Sequence, residues 1–124
     1  HGNQAILLPG DAEEDAWETI LDRWPSSVLE DVTILKAAHH GVKSGFHPEA
    51  VELMDPDHIV LSTGKKKDTD AHHLYRKTCS DDTKIWSTRQ YGTMKFRVMD
   101  RRAEPLPSVP DGIFNLPEKT GAWA

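Results

Sequence analysis

A single cysteine, Cys79, stands in the whole chain, which excludes an internal disulfide framework and paired-cysteine metal knuckles. A reducing, cytoplasmic setting is the expectation that follows. Long hydrophobic runs are also lacking. Nothing approaches the about eighteen continuous apolar residues of a membrane-spanning helix, and no signal-peptide pattern opens the chain. A basic surplus is missing too, since the net charge is -5. Proteins that coat nucleic acid carry a strong basic excess, so any nucleic acid here must meet a local cluster, of which "GKKK", Gly64 to Lys67, is one. The chain starts at His1 without an initiator Met, directly before the apolar run "AILL". That start suggests a fragment, a processed product or one chain of a split protein.

What is present suits one compact domain. The chain has 124 residues, of which 37% are apolar and 28% charged, with a mean hydropathy of -0.59. Such a chain builds a modest core and leaves room for another polypeptide to complete part of it.

Ala5 to Leu8 read as a short buried strand stopped by Pro9 and Gly10. Asp11 then occupies a helix N-cap position, with Glu13, Glu14 and Asp15 in a first turn whose dipole favours acids. Trp17, Ile20, Leu21 and Trp24 share one face of the helix that follows. "DVTILKAA" is a strand, "HHGVKSG" a polar loop, and "HPEAVELMD" a short helix with His47 as its cap and Pro48 at its first position. "HIVLSTG" is a strand of central character, and "HHLYRKTCS" is a helix with Leu74, Tyr75 and Thr78 facing inward. "KIWSTRQ" and "MKFRVMD" are expected to pair as a hairpin turning at Gly92. Residues 101–124, with four of the eight prolines, read as an extended tail after a domain at 1–100. Alternating strands and helices define an α/β layered fold, expected here with a mixed sheet. The polar strand ends "GD", "HHG" and "TGKKK" would meet in one site.

Asp11 and one of His39 or His40, each at the mouth of a strand, supply an oxygen and a nitrogen donor of the kind a hydrolytic Zn or Mn site uses. The plainer readings are a helix cap for Asp11 and a surface loop for the His pair.

The order "LLPGDAEEDAWETIL", "VTILKAAHHGVKSG", "HIVLSTG" and "IWSTRQYGTMKF" resembles the metallo-β-lactamase superfamily, and within it the ComEC-like branch of competence DNA-uptake proteins. The resemblance spans residues 5 to about 100 and rests chiefly on "GDAEEDAW" and "AAHHG". It implies the C-terminal half of an αββα sandwich. It also implies two divalent cations, Zn ahead of Mn, bridged by Asp11, with His39 as ligand of the second and His40 as the alternative or an outer partner. Ser44 and Lys43 would touch a substrate phosphate or line the pocket, and Lys65 or Lys66 with His72 would contact the scissile phosphate. A solvated basic loop, with Asp70 capping a helix and His72 on the surface, is the plainer reading of that stretch. Val42 departs from the family's usual Ser.

The HxHxDH cluster that the family carries in its first half is missing from this sequence. The implied activity is therefore that of a metal-dependent hydrolase, a phosphodiesterase or nuclease acting on nucleic acid, complete only with an N-terminal half supplied as a separate chain or cleaved fragment. A hydrolase of another ester, and a metal-free regulatory or interaction module of the same fold, are the alternatives.

Overall fold

The computed structural model describes residues 2–64, 69–100 and 102–106. Its centre is a four-stranded sheet in the order β1-β2-β3-β4, formed by Ala5–Leu7, Val32–Lys36, His58–Leu61 and Lys84–Ser87. All three pairings are parallel. The helices between them are α1 (Glu14–Arg23), α2 (Ser27–Glu30), α3 (Pro48–Met54) and α4 (His72–Thr78). Neighbouring parallel strands need crossovers, and these are nearly always right-handed. A sheet that grows in one direction from β1 to β4 therefore stacks its crossover helices on one face.

The core lies between that face and the helices. Leu35, Ile59 and Leu61 project from β2 and β3 and meet Trp17 of α1, Ala50, Val51 and Met54 of α3 and Tyr75 of α4, all buried. Trp17 keeps its polar edge satisfied by donating its indole N–H to the Gly45 carbonyl at 3.0 Å. The other face is only partly covered. After β4 come a short helix, α5 (Thr88–Tyr91), and two further strands, β5 (Lys95–Val98) and β6 (Ala103–Leu106), paired antiparallel. Residues of this β5–β6 hairpin pack on β3: Phe96 meets His58 edge-on at 5.1 Å, and the Ala103 carbonyl lies 3.0 Å from His58 Nε2. Among the described residues nothing covers that face over β1, with Ile6 52% and Leu8 72% exposed.

Several sequence expectations change. The α/β architecture, the helices at Glu14–Arg23, Pro48–Met54 and His72–Thr78 and the interior place of β3 stand as expected. The main sheet is not mixed but parallel throughout. "KIWS" joins it as the edge strand beside β3, where Trp86 and Ser87 are buried, and does not pair with "KFRV". "TRQY" turns into α5, and "KFRV" pairs with "AEPL" instead. Residues 103–106 are thereby drawn out of the expected tail into a strand; 107–124 lie outside the described residues. Ile6 and Leu8 are open to solvent rather than buried, because β1 is an edge strand with one uncovered face. Trp24, expected on the inner face of α1, is 61% exposed: the helix ends at Arg23 and Trp24 is already extended.

Candidate functional site

The parallel strands place the ends of β1, β2 and β3 along one rim. At the first end the chain turns through Gly10 into Asp11, and the Ala12 N–H donates to the Pro9 carbonyl at 3.2 Å. Helix α1 starts only at Glu14, with Glu13 in the cap position and no side-chain cap bond. Asp11 is therefore not the helix cap that its sequence position suggested. Its side chain is exposed, and among the described residues no hydrogen bond engages its carboxylate.

At the second end, β2 runs through the buried pair Ala37 and Ala38 into a tight loop. His39 (φ 46°) and His40 (φ 61°) both take left-handed backbone, followed by Gly41 at φ 86°. Non-glycine residues in that region cost about 1–3 kcal/mol each and persist only where surroundings over-determine them. Here the surroundings do. The His39 N–H donates to the Gly10 carbonyl at 2.8 Å, and those of Ala71 and Lys43 pair with the Gly41 and Thr69 carbonyls, both at 2.9 Å. Gly41 lies so close to Leu61 that a Cβ there would sit 2.7 Å from its Cγ, and at Gly45 a Cβ would sit 2.4 Å from the Ala38 carbonyl oxygen.

The side chains then gather around His39. Its Nδ1 lies 2.7 Å from Glu13 Oε1 and 3.0 Å from Ser44 Oγ. Ser44 in turn donates to the same Glu13 oxygen at 3.1 Å. His39 is half-exposed, while His40 and Ser44 are exposed. The rings of His39 and His40 are 6.2 Å apart and tilted.

On the third side, the segment after the β3 tip folds against this loop through an antiparallel bridge between Val42 and Asp70. Asp70 is buried. One of its oxygens caps α4 by accepting the His72 N–H at 2.8 Å, and the other pairs with Arg89 at 2.6 Å. Arg89 also donates to the Gly64 carbonyl at 3.2 Å, tying α5 to both ends of the intervening loop. His72 is exposed at the start of α4, and the residue before it, Ala71, bonds to Gly41 of the His loop. Lys65 and Lys66 lie outside the described residues.

The structure thus brings together Asp11, His39 and Ser44, with His40 adjacent, and sets the segment leading to His72 against their loop. Sequence reasoning missed Glu13 as a partner of His39, because an acid in a first helical turn already had a sufficient dipole explanation. It also missed Arg89, which sat in an expected strand.

As a donor set, Asp11 and His39 suit a divalent cation. The carboxylate is unengaged among the described residues, and a His whose Nδ1 meets a carboxylate has Nε2 left to coordinate, the usual arrangement for imidazole ligands. Two donors are fewer than the three protein ligands a catalytic zinc takes. Among the described residues there is no group of three or more His, Cys, Asp or Glu able to hold a metal.

The chain is thus an α/β protein with a parallel sheet whose strand tips gather polar side chains into one rim. ComE operon protein 3 of Bacillus subtilis (strain 168) is 25% identical to it over 104 residues, 81% of this chain and 13% of that protein. The chain therefore spans a small part of the relative it matches. No family profile matches the sequence, and no solved structure matches it. Among the described residues no helix is long and apolar enough to cross a membrane.

Proposed function

We propose that this chain is the C-terminal half of a metallo-β-lactamase-type hydrolase, working on phosphodiesters of nucleic acid together with an N-terminal half that brings the remaining ligands. The observation that carries the reading is the 2.8 Å bond from the His39 N–H to the Gly10 carbonyl, which joins the strand tip bearing Asp11 to the one bearing His39. The similarity to ComE operon protein 3 supports placing it near the competence-type branch of that superfamily. The open face over β1, with Ile6 and Leu8 exposed, supports an N-terminal half packed there as the second sheet of a sandwich.

In this reading Asp11 and His39 hold two divalent cations, zinc ahead of manganese, with His40 as alternative ligand. When bound, such cations supply Lewis acidity and lower the pKa of water toward neutrality. The chain's own residues do the rest. Asp11 positions the oxygen donor, Gly41 lets the backbone pass close, and Lys65, Lys66 and His72 neutralise charge developing on the phosphoryl oxygens. Ser44, assigned from sequence to a substrate phosphate, already has two partners in Glu13 and His39. The cytoplasm is the proposed setting.

Asp11→Ala in the two-part assembly should abolish hydrolysis of single-stranded or duplex DNA. Because the residue is exposed, stability should change by no more than about 0.5 kcal/mol. Activity retained by a folded Asp11→Ala assembly would remove the residue from the mechanism. The HxHxDH ligands missing from the sequence, together with its proline-rich end, are what favour a second reading, a metal-free regulatory module of the same fold. Metal analysis separates the two: about two zinc or manganese ions per assembly supports the hydrolase, and none after supplementation supports the module.

A further inference from the structure

We infer that Glu13 is a positioning residue that fixes the tautomer of neutral His39, keeping its ring proton on Nδ1 and leaving Nε2 as the ring's donor atom, with Ser44 steadying the ring. What Nε2 meets, a divalent cation, rests on the function proposed above; the tautomer does not.

Three atoms close a triangle: His39 Nδ1 to Glu13 Oε1 at 2.7 Å, Glu13 Oε1 to Ser44 Oγ at 3.1 Å and Ser44 Oγ to His39 Nδ1 at 3.0 Å. Two of the three partners must contribute protons to hold it together. A carboxylate only accepts, and a serine hydroxyl has one proton to give. With the ring proton on Nε2, the Nδ1 lone pair would face a carboxylate oxygen at 2.7 Å with no hydrogen between them, which is repulsive. With the proton on Nδ1, both Nδ1–H and Oγ–H point to Oε1, and the Ser44 oxygen shares the Nδ1 proton.

The same geometry excludes a nucleophilic serine. A Ser–His–carboxylate relay places hydroxyl and carboxylate on opposite ring nitrogens, whereas here both converge on Nδ1. Ser44 therefore steadies the ring and is not activated by it. The fixed ring sits on a fixed backbone: His39 is left-handed at φ 46°, tied to Gly10 and packed over Gly45. Glu13 reaches it from the N-terminal boundary of α1, the helix whose Trp17 is bonded to Gly45. The helix and the loop thus lock the ring through two separate contacts. Carboxylate partners of this kind orient metal-binding imidazoles, and their loss typically costs about 10–100-fold in metal affinity.

The test is long-range nitrogen–proton correlation NMR of the imidazole rings in the full chain, metal-free and at mildly alkaline pH. His39 should show the Nδ1–H form. Glu13→Ala, at an exposed position, should shift Nε2 toward the protonated position with the backbone amide spectrum otherwise unchanged, while Ser44→Ala should leave the Nδ1–H form in place. A wild-type ring protonated on Nε2, or a Glu13→Ala ring with unaltered nitrogen shifts, overturns the inference. Zinc titration of the assembly with its N-terminal half gives a second readout. Glu13→Ala should weaken binding by about 10–100-fold, and equal affinity overturns the positioning role. If wild-type assembly takes up no zinc while the ring shows Nδ1–H, the metal reading fails and the tautomer assignment stands.

Discussion

His58, the first residue of β3, holds the sheet and the hairpin together with one ring. Its Nδ1 accepts the Trp86 indole N–H at 3.2 Å, so the ring proton is on Nε2, which donates to the Ala103 carbonyl at 3.0 Å. Burial, outweighing the Ala103 carbonyl and nearby Asp57, lowers its pKa from the usual 6.5. The unfolded chain binds the proton first, so this stabilisation is fully present above pH 6.5 and is lost as pH falls from there toward the folded value. His58→Phe strands an indole donor and a carbonyl acceptor and should cost about 1–3 kcal/mol at neutral pH. Urea unfolding should show the gap between wild type and variant narrowing between about pH 7.5 and about pH 5.5; a constant gap would contradict the assignment. Cys79 behaves differently: burial pushes its thiol up to about 11, which keeps it protonated and unreactive. Neither environment was legible in sequence. The letters "HIVL" and "TCS" carry no trace of a hairpin or a helix seam arriving from elsewhere in the chain, whereas His47 as a cap was legible, because capping is local and Pro48 follows it.

At the level of elements, the His loop is held by contacts too close for a side chain. Gly45→Ala would press a methyl group against the Ala38 carbonyl and the His39 Cβ, backbone and near-backbone atoms that cannot swing aside. A loss of about 1–3 kcal/mol is expected, read as a lower urea midpoint, together with faster amide exchange across 38–45. Equal exchange would mean that the loop does not need this approach. The helices were readable because apolar spacing and caps are written within each segment, as with Trp17 and Pro48. The strand partners were not. "KIWS" and "KFRV" are adjacent in sequence with a glycine between them, which is the local signature of a hairpin. The parallel pairing of Trp86 with Val60 depends on burial that only the assembled sheet supplies. Asp11 and His39 were legible as residues at strand tips for the same reason as the strands that carry them, while Glu13 was hidden by its own adequate role in a helix turn.

Among the described residues, one sheet face is covered by helices and part of the other by a hairpin whose turn meets the residues before β1, where the Asn3 N–H donates to the Asp100 carbonyl at 3.3 Å. Exposed Ile6 and Leu8 mark the uncovered part. Ile6→Asp with Leu8→Asp should leave the isolated chain's stability within about 0.5 kcal/mol per site but weaken association with the proposed N-terminal half by about tenfold or more. Calorimetric titration of the two halves checks this, and unaltered affinity would place the partner elsewhere. The alternation of strands and helices made the α/β class readable, whereas the all-parallel pairing of the sheet was not. The uncovered face was expected only as a corollary of a missing companion, since no residue of β1 announces which side of it is dry.

The Gly10–His39 bond also has a dynamic consequence. Strand β1 is three residues long and, among the described residues, pairs with β2 alone. Any opening of that edge would break the Gly10–His39 bond and part the two strand tips, so whatever holds β1 down would also hold the rim together.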